Sequence, residues 1–116
     1  MNKKRDILLI VFLALLIPTL TSALEGDIVK MQGVVMAVDV KQGTFVMNEK
    51  LVVWDQHTAI QTERAIPIAI DKLKVKQWVY VEGVHDRVRN RIEARKIYFL
   101  PKRIDRQERH LYPFME

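Results

Sequence analysis

The chain has 116 residues, with 19 basic and 14 acidic side chains, a formal net charge of +5 and no cysteine. That length holds one domain at most. The missing cysteine excludes disulfide staples, thiolate catalysis, thiolate metal ligation and haem attachment through thioethers, so stability must come from one small apolar core.

The first residues do not read as fold. Asn2-Lys3-Lys4-Arg5 is basic, Ile7 to Leu20 is an apolar run of 14 residues containing Pro18, and Thr21-Ser22-Ala23 is a run of small residues. This is the three-part pattern of a secretory signal peptide over residues 1–23, with a cut expected after Ala23. The competing reading is an uncleaved membrane anchor. A spanning helix needs about 20 apolar residues, and this run is shorter. The basic start keeps the amino terminus cytoplasmic, so the remainder is expected in the periplasm or outside the cell on either reading. Leu24, not a cysteine, follows Ala23, so no lipoprotein anchor is indicated. Membrane contact is expected only if the first segment is kept.

Charge is uneven along the rest. Residues 24–86 hold 7 basic and 9 acidic side chains, and residues 87–116 hold 9 and 4. A basic end suits an anionic partner, such as a cell-wall polymer, lipid headgroups or nucleic acid. The plainer reading, and the favoured one, is a solvated strand edge and tail.

Ile28 to Val40 reads as a long first strand with Val34, Met36, Val38 and Val40 on one face and a bend at Gly33. Lys41-Gln42-Gly43 is a hairpin turn with Gly43 where positive φ is needed. Thr44 to Met47 returns with Phe45 and Met47 inward, Asn48 to Lys50 turns again, and Leu51 to Trp54 is a third strand. Asp55 to Arg64 is irregular, with Ile60 as a lone core residue. Pro67 makes Ala65 to Ile70 an edge strand. Asp71 to Lys74 allows one helical turn.

Leu73 to Gly83 is the stretch around which the others can pack. Val79 and Val81 share one face of its strand; Trp78, Tyr80 and Glu82 share the other. After a polar turn at 86–90, Arg91 to Phe99 is the last strand. Its inward positions shift from Ile92 and Ala94 to Ile97 and Phe99, which predicts a bulge near Arg95-Lys96. Lys102 to Arg109 has weak helical character, and an aromatic tail ends the chain. The expected architecture is all-β: a small five- to six-stranded antiparallel OB-like barrel over residues 24–101 and a basic, aromatic tail over 102–116.

The residues Gly33–Asp39 (G-V-V-M-A-V-D), Gly43–Met47 (G-T-F-V-M), Leu73–Gly83 (L-K-V-K-Q-W-V-Y-V-E-G) and Ile92–Ile97 (I-E-A-R-K-I) resemble the pattern of a family of uncharacterised small exported bacterial OB-like domains. The resemblance covers nearly the whole mature chain to Phe99. It implies the fold and no catalytic residues. Lys76 stands where that pattern usually has glycine. A weaker resemblance is to the haem chaperones of cytochrome c maturation, which carry a histidine and a downstream Tyr-x-Pro after the last strand. It would imply haem delivery through His110 and Tyr112, although the gap between them is too short for that pattern.

No catalytic constellation emerges. His57, His85 and His110 lie in separate segments without metal-binding spacing. Met31, Met36, Met47 and Met115 suit core filling better than copper. Ser22 is the only serine and leaves with the signal peptide. No enzyme activity, cofactor or metal is expected. The candidate binding surface is Trp78 and Tyr80 with Arg87, Arg89, Arg91 and Arg95, since aromatic platforms among cations are what single strands and glycans stack on. Packing of the two aromatics under the crossover or the tail is the competing and favoured reading. The expected function is a small exported, non-enzymatic interaction module for an envelope protein or anionic polymer. The alternatives are a cofactor-delivery protein and a barrel binding single-stranded nucleic acid.

Overall fold

The computed structural model describes residues 26–115. The proposed signal peptide over residues 1–23 lies outside the described residues.

Among the described residues, six strands form in chain order: β1 (Asp27–Asp39), β2 (Thr44–Met47), β3 (Lys50–Val53), β4 (Ala59–Thr62), β5 (Trp78–Asp86) and β6 (Arg91–Leu100). Their order in the sheet is β3-β2-β1-β5-β6-β4, and β3 also pairs with β6. That last pairing closes a five-stranded ring, giving an all-β, OB-like domain. The ring is not wholly antiparallel, contrary to the sequence expectation. β3 runs parallel to β6 from Leu51↔Arg91 to Val53↔Glu93, and β4 runs parallel to it from Ala59↔Lys96 to Thr62↔Phe99. The two short strands follow one path along β6, interrupted by a turn. Thr58 marks the interruption: its hydroxyl donates to the Ala94 carbonyl at 2.8 Å and accepts from the Asp55 N–H. Ile60 therefore belongs to a strand and is not an isolated core residue.

Turn chemistry fixes the early meander. Gly43 takes φ 69, and the Trp54 N–H donates to its carbonyl at 2.9 Å. Asn48 and Glu49 take φ 49 and 62, the doubly left-handed geometry of a tight two-residue hairpin. Phe45 and Met47 point inward beside Val52 of β3, and all three are fully buried.

β1 departs from the expected facing. Val35, not Val34 or Met36, is in the core, while Met36 is 61% exposed and Val40 is also exposed. The register explains this. Val35 pairs with Met47 and Ala37 with Val46, so Met36 is an extra residue that throws the parity over. Gly33 is not the bend. It is buried, and a Cβ there would come within 2.7 Å of Met47 Cε and 2.8 Å of Asn48 Oδ1. It lets β1 and the β2–β3 turn approach closely.

The β5–β6 hairpin follows the sequence expectation. Val79, Val81, Ile92 and Ile97 are fully buried, with Ala94 and Phe99 beside them in the same core. The register steps from Glu82↔Lys96 to Gly83↔Ala94, leaving Arg95 as the bulge residue. A Cβ at Gly83 would lie 2.3 Å from the Glu93 carbonyl oxygen, so the bulge requires glycine there.

The crossover from β4 to β5 holds no further strand. Pro67 makes one isolated bridge to Gln61, and β4 occupies the edge that residues 65–70 were expected to form. Proline lacks the N–H that a second ladder bond would need. A 3-10 turn at Ile70–Lys72 sits where one helical turn was expected, and Leu73 then plugs the core. Lys76 takes φ 75, and its N–H donates to the Val35 carbonyl at 2.7 Å. The glycine of the resembling pattern thus marks a left-handed position, which here carries a lysine.

Candidate functional site: an aromatic face and an arginine hairpin

The outward face of the β5–β6 hairpin is apolar at its carboxyl-terminal end. Tyr80 pairs with Tyr98 and Trp78 with Leu100. The unbroken run Ile97-Tyr98-Phe99-Leu100 is the sequence signal for this, because a strand apolar at successive positions is covered on both faces. The sequence expectation does not include Tyr98 and Leu100 as outward-facing core residues, yet both are buried opposite Tyr80 and Trp78.

The tail covers this face. Residues 101–103 lead away from β6, and 3-10 turns follow at Arg106–Leu111 and Pro113–Met115. Ile104 is 1% exposed and Met115 is buried, and with Tyr80, Tyr98 and Leu100 they form a second apolar cluster. Phe114 stacks on Tyr98 with ring centroids 3.9 Å apart and planes 5° from parallel. Tyr80 meets the same ring at 5.6 Å, and Tyr112 meets it edge-on at 6.1 Å. Trp78, Tyr112 and Phe114 are half-buried around the cluster.

A single polar side chain pins the tail. Gln32 of β1 donates from Nε2 to the Ile104 carbonyl at 3.0 Å, and its Oε1 accepts the Ile104 N–H. One carboxamide thus satisfies both backbone groups of one tail residue, as a neighbouring strand would. Gln77 makes a similar tie, donating to the Leu100 carbonyl at 2.8 Å and the Trp78 carbonyl at 3.0 Å. Burial pushes the Tyr80 phenol above its ordinary pKa of 10.0; Glu82 and Tyr98 push the same way, and Arg109 opposes them. Lys102 is also raised, by its hydrogen bond to Glu108 and that carboxylate's charge.

The expected stacking platform is therefore not an open one. Tyr80 is 4% exposed, and its ring packs on Phe114. Exposed aromatics on a small domain gain by finding cover, and the Leu111–Met115 segment supplies it.

Nor do the arginines form one row. Arg87 and Arg89 lie in the turn between the strands, and Arg91 is the first residue of β6. Each faces a carboxylate. Arg87 donates from Nε to Asp27 at 2.9 Å, Arg89 lies 4.0 Å from Asp86, and Arg91 lies 3.4 Å from Glu93. Arg95 sits apart at the bulge and is exposed. The extended hairpin that would align Arg87, Arg89 and Arg91 is replaced by a turn that Asp86 organises, accepting the N–H groups of Val88 at 3.0 Å and Arg89 at 3.2 Å. Asn90 closes the turn at φ 52. Val88, between the two turn arginines, is 95% exposed. Beside it is an open cleft of about 460 Å³ lined by Gly26, Val84 to Arg89 and Glu93.

The histidines stay apart. His110 is exposed, with Nδ1 at 2.9 Å from the Gln107 carbonyl, while Tyr112 turns into the aromatic cluster. Among the described residues, no three His, Asp or Glu side chains gather as a metal site. Met47 is in the barrel core, Met31 packs against it, Met115 is buried where the tail meets the outer aromatic face and Met36 faces solvent.

No family model matches the chain, and no curated protein matches it. A solved structure does share the fold. It is the crystal structure of PilY2, a fimbrial biogenesis protein of Pseudomonas aeruginosa PAO1, with a TM-score of 0.50 and 19% identity. The match covers 78% of this chain and 96% of that one. At that identity the likeness is one of fold.

Proposed function

We propose that this domain is a small, non-enzymatic interaction module of the bacterial cell envelope that contacts a protein partner through the tip of its β5–β6 hairpin. The observation that carries this reading is the tip itself. Val88 stands 95% exposed between two arginines, on a turn whose backbone Asp86 holds by two hydrogen bonds. An ordered turn presenting an apolar side chain flanked by guanidiniums has the composition of an interface anchor, since arginine is enriched at such positions and a fixed backbone loses little entropy on binding. The export signal read in residues 1–23 and a fold neighbour that takes part in fimbrial biogenesis both support an envelope setting. A general affinity for anionic polymers is less favoured, because Asp27, Asp86 and Glu93 stand beside Arg87, Arg89 and Arg91.

A photocrosslinking side chain at position 88 tests the reading in envelope fractions. The expected result is one discrete protein adduct, lost on Arg89→Glu and absent when the crosslinker is moved to Lys41 in the first hairpin turn. Identical adducts from positions 41 and 88 would sink it. Salt-sensitive binding of single-stranded DNA or a cell-wall polymer, abolished by Arg89→Glu, would instead favour the polymer reading.

A further inference from the structure

We propose that the face under the tail is an exchange site, which takes residues 104–115 either from its own chain or from a second copy, so that two copies form a dimer by swapping tails. The face has the features of a peptide-binding surface. Gln32 engages the N–H and the carbonyl of Ile104, reading backbone and not side chain. An aromatic floor, Tyr80 and Tyr98, then receives Phe114. Nothing in these contacts depends on the tail belonging to the same chain, so the occupant the surface fits is this segment, from whichever copy supplies it.

The hinge argues for the second copy. Gln32 lies opposite Tyr80 and Tyr80 opposite Tyr98, so the tail must cross from β6 over β5 to β1. Two strand spacings and two residues along the strand make that path about 12 Å. The steps from Leu100 to Ile104, through Pro101, Lys102 and Arg103, reach at most about 14 Å when extended. The chain also bends at Pro101 and Lys102. A short hinge with little slack is the setting in which exchange between copies costs least, because the swapped form keeps every contact. The intramolecular tail retains the advantage of high effective concentration, so exchange belongs to high protein concentration.

The test uses the full chain. Sedimentation across a concentration series should show a monomer–dimer equilibrium. In a refolded mixture of isotope-labelled and unlabelled copies, isotope-filtered NMR should find a contact between Tyr98 of one chain and Phe114 of the other. Inserting Gly-Gly-Ser after Lys102 gives the hinge slack and should weaken dimerisation at least tenfold. Deleting Arg103 leaves the hinge too short to span the path and should strengthen dimerisation by a similar factor. A wild-type chain that stays monomeric at every concentration would overturn the proposal, as would a dimer that lacks the Tyr98–Phe114 contact between chains. A dimer whose affinity ignores both hinge variants would overturn it as well. The insertion preserves every tail contact, so it reads the hinge even if the deletion fails to fold.

Discussion

Tyr80 packs its ring against one supplied by the tail, and the residue is almost fully buried. Its raised pKa means that the unfolded chain ionises first, so stability is unaffected below the ordinary value of 10.0 and falls as pH rises above it. Tyr80→Phe should leave the melting temperature at pH 7 nearly unchanged and flatten the loss seen above about pH 10, as measured by thermal melts across pH. Lys102 acts in the same alkaline window and with the same sign: its protonated, cationic form is favoured in the fold, and that support disappears as pH rises through its raised pKa. Its exposure makes the effect small. Lys76 gives a second test at this scale. A non-glycine residue in the left-handed region costs about 1–2 kcal/mol, and glycine returns part of that as chain entropy, so Lys76→Gly should raise stability by about 0.5–1 kcal/mol in urea melts. The departure at Lys76 was legible in the sequence, because the resembling pattern flags a glycine there. Gln32 was not: its partner lies 72 residues away, and it recognises a backbone that has no sequence signature.

At the scale of elements, legibility depended on whether a strand has one apolar face or two. The first half of β6 alternates cleanly, and β5 sets its valines on one face against aromatic and polar residues on the other, so their inward residues and the bulge at Arg95 follow from periodicity. In β1 the segment Val34-Val35-Met36-Ala37-Val38 is apolar at every position, so either register satisfies the pattern. The extra residue at Met36 decides it, and no residue type announces a bulge there. The two facings make opposite predictions. Met36→Lys should change stability by no more than about 0.5 kcal/mol. Val35→Lys should leave no cooperative unfolding transition, because an unpaired buried charge costs several kcal/mol. Equal effects would mean that β1 presents both residues alike. β4 was illegible for another reason. Four residues pairing in parallel with a strand more than thirty positions away leave no local hairpin signal.

For the whole molecule, the tail is part of the fold and not an appendage. Composition marked residues 102–116 as basic and aromatic, which separated them from the barrel; packing joins them to it through Ile104, Phe114 and Met115. Removing residues 108–116 should therefore lower the melting temperature and raise acrylamide quenching of tryptophan, since Trp78 loses cover. Phe114→Ala should do the same more mildly, costing about 2 kcal/mol for a half-buried ring. Unchanged quenching in both variants would mean that the aromatic face stands open in solution. The candidate site was legible as a set of residue types, but its arrangement depends on the turn at Asp86 and on the tail's return.

The seam between β3 and β6 holds three residue pairs, from Leu51↔Arg91 to Val53↔Glu93. It joins segments about forty residues apart, whereas β2–β3 and β5–β6 close through tight turns. Chain-closure entropy must be met before so distant a contact stabilises anything, so the meander and the hairpin should form early and the ring should shut late. Val52 sits in the middle of that seam, fully buried. In stopped-flow measurements Val52→Ala should speed unfolding and leave the refolding rate nearly unchanged, while Val79→Ala in the β5–β6 hairpin should slow refolding.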